Sequence, residues 1–286
     1  MFNAAACYRS FLIKFTTWVA AVGLAAGTGG LMAQIPPPAA APVALPQAAY
    51  THHPWQAALP GLNTEAYFTN LKNGDHIEMP FLLKFGLSGG WGLAPISKAA
   101  RSKSGHHHLL VDRDLPLDIR KPLPFDEQYV HFGKGQMEKV LTLAPGTHTL
   151  RMLLANDKHL LHFVYSKAIT VTVTKKNDID PASLIQKGLS IGVSGKEVRQ
   201  PFRVQFHASG MNVAHLAQQE KDTGHFKLHV IPKGAGKAAE MDFVDGQTEV
   251  WLAPPAGDYT LKLEFVDNLN PSKALTEAVS VPVKVQ

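Results

Sequence analysis

The sequence predicts an all-β protein: two tandem immunoglobulin-like antiparallel β-sandwich domains that follow a signal segment and a Pro/Ala-rich linker. Three observations predict it. Residues 66–90 match residues 187–211 at constant offset, with Gly74 on Gly195, Pro80-Phe81 on Pro201-Phe202, Phe85 on Phe206 and Gly89 on Gly210. The apolar pattern within the matched segments alternates with period two, as in Phe81-Leu-Leu-Lys-Phe85 and Tyr259-Thr-Leu-Lys-Leu-Glu-Phe265, which marks half-buried strands. Turn signals such as Asn73-Gly74 and Pro145-Gly146 separate those strands at the short spacing of a sandwich.

Residues 1–33 read as a secretory signal. Arg9 and Lys14 form a basic start, Phe15 to Ala26 is apolar but short for a membrane span, and small residues precede Leu31-Met32-Ala33. Export to the periplasm or the medium is therefore expected, with no membrane span once the signal is cleaved. Residues 34–63 are rich in Pro and Ala, a composition that favours an extended tether. The first sandwich is expected over residues 64–175, an inter-domain linker with a short turn over 176–185, and the second sandwich over 186–286.

The repeat continues beyond its first block. Gly105-His-His-His-Leu-Leu-Val111 falls on Gly224-His-Phe-Lys-Leu-His-Val230, Phe132 to Glu138 on Phe243 to Glu249, and Gly146 to Met152 on Gly257 to Leu263. Pro-Ala-Gly-Asp-Tyr259 is the kind of turn in which a tyrosine ties a sandwich corner. Glu138 and Glu249 follow Gly-Gln in both copies, so a fold-level hydrogen bond is expected of them rather than acid–base duty.

Composition limits the chemistry. The chain of 286 residues carries a net charge of +5, and only +3 without Arg9 and Lys14, too little and too dispersed for a nucleic-acid partner. The single cysteine, Cys7, lies in the signal segment, so disulfides, thiolate nucleophiles and cysteine-based zinc sites are excluded from the processed chain. No phosphate loop, dinucleotide fingerprint, Gly-x-Ser-x-Gly or His-Glu-x-x-His pattern occurs, and no organic cofactor is expected.

Fourteen histidines remain to be explained, and the second copy serves as an internal control for what the fold itself requires. His107 stands where Phe226 stands and His148 where Tyr259 stands, at positions that share strand parity with core residues. His106 and His108 are two apart on one strand, about 6–7 Å at Cα, and share a face with Asp112. Such a His-x-His can offer two nitrogen ligands to Zn²⁺ or Cu²⁺; a polar, solvent-facing strand is the plain alternative. His131, His159 and His162 add candidates in the same domain, opposite Asp242, Asn270 and Lys273 in the second copy. His106, His108 and His131 are the expected ligands, completed by one of His148, His159 and His162 and oriented by His107 or Asp112. His52, His53, His76, His207, His215 and His229 are expected to be solvated.

The combination of Gly105 to Asp112, His131-Phe-Gly-Lys-Gly-Gln-Met-Glu138, Pro145-Gly-Thr-His-Thr-Leu150, Asp157 and His159 to His162 resembles the bacterial exported domain of unknown function 4399, over about residues 66–174. Met137 and Leu161 depart from that pattern, which has Thr and Pro there; Thr248 keeps the Thr in the second copy. The resemblance implies an exported protein with no assigned activity. Three functions stay open: copper or zinc binding by first-domain histidines, a non-catalytic envelope module that uses a histidine hydrogen-bond network to present faces to a protein or glycan, and, third, a metal-dependent enzyme.

Overall fold

The computed structural model describes residues 52–58, 64–95, 103–116 and 118–286; the expected signal segment lies outside them. The protein is all-β, with each copy of the repeat folded as two facing, mainly antiparallel sheets, whose larger member also holds two parallel pairs at its edges. In the first sandwich, β1 (Ala66–Phe68), β3 (Phe81–Leu87) and β7 (Glu138–Leu141) make the smaller sheet. The larger sheet holds β2 (His76–Met79), β4 (Gly92–Leu93), β5 (Ser104–Val111), β6 (Tyr129–Phe132), β8 (Gly146–Ala155), β9 (Leu161–Tyr165) and β10 (Ile169–Lys176).

The second sandwich repeats this plan. Its smaller sheet is β11 (Gly188–Gly192), β13 (Phe202–Ser209) and β17 (Glu249–Leu252). Its larger sheet is β12 (Glu197–Val198), β14 (Asn212–Val213), β15 (Thr223–Pro232), β16 (Ala239–Asp242), β18 (Gly257–Asp267) and β19 (Val279–Val285). Strand β9 has no counterpart among them. A 3₁₀ turn at Pro181–Leu184, capped by Asp180, joins the copies. Among the described residues no helix is long and apolar enough to cross a membrane.

Alternation builds both cores alike. On β5, Leu109 and Val111 point inward with His107, whose ring meets Phe85 edge-on at 5.0 Å; on β15, Phe226 meets Phe206 at 5.2 Å. Phe132 and Phe243 complete the two aromatic triplets, at 4.7 Å from Phe85 and 4.8 Å from Phe206. The outward face of β5 and β8 is not left to solvent in the first copy. Leu110, Leu153 and Ala155 form a second apolar cluster there with Leu123, from the long connection between β5 and β6.

The two sandwiches meet with pseudo-twofold symmetry. Leu93 N–H donates to Gly246 O, and its repeat counterpart Val213 N–H donates to Gly135 O, both at 2.9 Å. Backbones approach so closely that a Cβ on Gly135 would lie 2.0 Å from Val213 O, at a residue that also has φ +87°. Glu138 accepts from Ser209 Oγ and Gly210 N–H at 2.8 Å and meets His207 Nε2 at 3.0 Å, while Glu249 accepts from Tyr67 Oη at 2.8 Å. Each glutamate thus crosses to the other sandwich, a larger task than an end-of-strand bond. Thr248 likewise exchanges hydrogen bonds with the backbone of Leu87, which its counterpart Met137 has no hydroxyl to do.

Two expectations need correction. His207 and His215 are buried, not solvated, and His207 belongs to the brace just described. The Pro/Ala-rich stretch is docked at one place: Ala57 N–H donates to Trp251 O, Ala253 N–H to Trp55 O, and Trp55 packs edge-on against Tyr259.

Candidate metal centre

Strand pairing brings the histidines together. β5 projects His106 and His108 to the outward face, and β6 pairs antiparallel with β5 so that His131 lies directly across from His108. On the other side of β5, β8 ends at Ala155, paired with His106, and the turn that follows returns His159 over the same face. Asn156 builds that turn: its side chain accepts from Lys158 N–H at 2.9 Å and Leu160 N–H at 3.0 Å. His159 itself holds φ +58°, a left-handed conformation unusual outside glycine and stabilised here by its N–H bond to Asn156 O and the Leu123 N–H bond to its carbonyl.

One imidazole nitrogen from each of His106, His108, His131 and His159 lies within 4.8 Å of the other three. His106 and His108 are fully buried, and their Nε2 atoms are 2.9 Å apart; His131 and His159 are half-buried and form the outer rim. The six ring-centroid separations run from 4.7 to 5.9 Å, five of them at 5.1 Å or less. A square would need two diagonals about 1.4 times its sides. The rings instead sit near the corners of a tetrahedron. Tetrahedral zinc, with Zn–N of about 2.0–2.1 Å, sets neighbouring nitrogens about 3.4 Å apart, a distance inside the present spread.

Electrostatics keeps these donors in the ligand state. Burial pushes the His106 imidazole down to about 3 and that of His108 down to about 2, and the neighbouring histidines push the same way. Burial lowers His131 and His159 too, against an opposing pull from Asp157 on His159. At neutral pH the cluster is four neutral rings with lone pairs available. Nδ1 of His106, Nδ1 of His108, Nε2 of His131 and Nε2 of His159 have no hydrogen-bond partner among the described residues.

Phe125 covers the rim, with its ring 4.5 Å from that of His159 and 5.0 Å from that of His131, although it is itself 60% exposed. Nothing periodic surrounds Phe125 in the sequence, so no pattern pointed to it. Gly133 is equally local: a Cβ there would lie 2.2 Å from Cε1 of His131, so the ring takes its place only beside a glycine.

The remaining candidates lie elsewhere. His107 faces the core on the opposite side of the sheet, where alternation must put it, and therefore does not orient the cluster. Asp112 and His148 pair with each other at 2.8 Å, and His148 Nε2 meets Ala144 O at 2.8 Å. Tyr259 Oη donates to Pro255 O, four residues upstream in the same way, so His148 is the histidine version of a tyrosine corner. His162 is on β9 and packs against Trp91, with centroids 4.8 Å apart.

The second copy shows what the same place holds without the four rings. His225 Nε2 lies 3.0 Å from Asp242, and the Lys227 ammonium stands 3.7 Å from Asp242 and 3.1 Å from Glu240. Lys227 and Asp242 pair across strands as His108 and His131 do. A fixed cation of the protein's own occupies the equivalent position.

A family model described as a domain of unknown function, DUF4399, matches residues 83–174 and again 204–285. The chain belongs to the DUF4399 family. Both sandwiches are thus DUF4399 copies, and the first alone carries the four-histidine cluster. Among curated proteins no relative matches. Similar solved structures include fibronectin(III)-like modules of Clostridium thermocellum CbhA, at 9% identity over 77% of this chain and 94% of that one, TM-score 0.25. Chicken CNTN1 FN1-FN3 domains match at 10% identity over 76% and 64%, TM-score 0.22. A two-domain fibronectin type-III segment of chicken tenascin matches at 12% over 78% and 99%, TM-score 0.22. These scores are too low for the likeness to bear on the function of this DUF4399 pair.

Proposed function

We propose that this is an exported protein of the periplasm or medium that binds one copper or zinc ion through His106, His108, His131 and His159. The observation that carries the reading is the convergence of four neutral imidazole nitrogens from three separate elements within 4.8 Å. Lys227 adds to it, because the diverged copy keeps a cation in the corresponding place. Four ring donors fill a tetrahedral shell without leaving a position for water, which fits storage, delivery or sensing better than hydrolysis. A self-contained histidine network explains the geometry less well. Such a network satisfies its members, whereas among the described residues each of the four rings keeps a buried nitrogen without a protein partner, the His106–His108 Nε2 contact notwithstanding. Export rests on the signal-like character of residues 1–33.

Metal analysis and calorimetry on the protein test this directly. One equivalent of Cu²⁺, Cu⁺ or Zn²⁺ is expected, lost on combining His106→Ala with His108→Ala and retained in His148→Tyr, which copies the corner of the second sandwich. Binding no tighter than about millimolar, or binding unaffected by the double substitution, overturns the proposal.

A further inference from the structure

The chemistry of the four donors discriminates between the candidate ions, an inference that rests on the metal-site reading above. All four ligands are neutral imidazoles, and among the described residues no carboxylate or thiolate joins them within the cluster. Asp157 acts on His159 and His162 from outside it. The charge of a bound ion is therefore left uncompensated by its ligands, and two of the four rings are completely buried.

The cost of moving an ion out of water grows with the square of its charge, so a divalent ion costs about four times what a monovalent one does in the same surroundings. The diverged copy is the contrast: there the monovalent ammonium of Lys227 is attended by two carboxylates, Asp242 and Glu240, which the four-histidine cluster lacks. Shape adds a second filter. Cu²⁺ favours square or tetragonal ligand sets, which the near-tetrahedral arrangement of these rings opposes, while filled-shell Cu⁺ and Zn²⁺ accept a tetrahedron. Charge disfavours Zn²⁺ and shape disfavours Cu²⁺, so of the copper and zinc ions Cu⁺ meets the least opposition here. Phe125 adds an apolar ring at the rim beside His131 and His159.

We propose that the His106, His108, His131 and His159 cluster is a Cu⁺ site, selected by four neutral donors in a tetrahedral frame. The full chain is titrated under nitrogen with Cu⁺ held by bicinchoninate, and in parallel with Zn²⁺ held by a chromophoric chelator. One equivalent of Cu⁺ is expected, bound at least about tenfold tighter than Zn²⁺. His131→Asp, which copies Asp242, and His131→Glu, which has the longer reach, each put a carboxylate into the rim. Both are expected to move the Cu⁺ to Zn²⁺ preference toward Zn²⁺ by about tenfold or more, with the far-ultraviolet dichroism of the fold retained.

Zn²⁺ bound tighter than Cu⁺ by the unaltered protein, with the same dependence on His106 and His108, overturns the Cu⁺ assignment and leaves the metal site standing. A preference unmoved in both folded carboxylate variants overturns the charge argument. Failure to bind either ion better than about millimolar overturns the metal site itself, and the assignment with it.

Discussion

The imidazoles of His106 and His108 titrate far below the ordinary histidine value of 6.5 because both are buried and face other histidines. In the unfolded chain each takes up a proton near pH 6.5, whereas in the folded protein neither does until about pH 3 or about pH 2. The unfolded state therefore binds more protons throughout the interval between. The contribution of these two rings to the stability of the metal-free protein is fully present above pH 6.5 and is lost as pH falls, with a slope approaching about 1.4 kcal/mol per pH unit for each ring. His148 has the opposite sign: burial works against its charged form, but Asp112 and Ala144 outweigh that and raise it, so its contribution is lost as pH rises. Between pH 6.5 and 5 the cluster dominates. The urea midpoint of the metal-free protein is expected to fall across this window and to flatten when His106→Leu and His108→Leu are combined. A midpoint independent of pH there in the unaltered protein would count against a neutral, buried cluster.

At the scale of elements, strand parity and the repeat made much of the site readable. Alternation alone separates His107 from His106 and His108, and the Phe226 counterpart explains why His107 is a core side chain. The register that sets His131 opposite His108 needs only a β5–β6 antiparallel pair, which the copy with Lys227 and Asp242 repeats. What sequence pattern could not reach is the aperiodic chain. The connection from Asp112 to Gln128 has no alternation, yet it places Leu123 on the outer apolar cluster and Phe125 on the histidine rim, and it turns an outward face into a buried one. Parity says which face a residue takes and nothing about what later covers that face. Phe125 is accordingly expected to govern ion exchange more than ion affinity. Phe125→Ala should open the path in both directions, speeding release of the bound ion to an external chelator by roughly tenfold with uptake faster to match. Stopped-flow capture measures this, and a release rate equal to that of the parent protein would remove Phe125 from the exchange path.

At the scale of the molecule, the two copies behave as a dimer in one chain, because each supplies the same residue to brace the other. Burial would raise the Glu138 carboxyl, but the bonds from His207, the Gly210 N–H and Ser209 prevail and hold it below the usual carboxylate range. That contribution is present above about pH 4.5 and is lost as pH falls through the lowered value, below the pH 6.5 to 5 window in which the histidine effect is read. Glu249 carries the symmetric load with Tyr67 and Arg203, whose guanidinium also stacks 4.1 Å from the Tyr67 ring centre. Glu138→Ala leaves a buried hydroxyl, an imidazole and a backbone N–H of the second sandwich without their acceptor, a loss on the order of 3 kcal/mol or more. Because the unsatisfied groups lie on β13 and at Gly210 just after it while the substitution lies on β7, the damage should register in both sandwiches. Hydrogen exchange at neutral pH is expected to show faster opening of β5 and β8 and of β15 and β18 together. Acceleration confined to the first sandwich, with β15 and β18 protected as before, would mean that the copies are stable independently and that the brace contributes little to the whole.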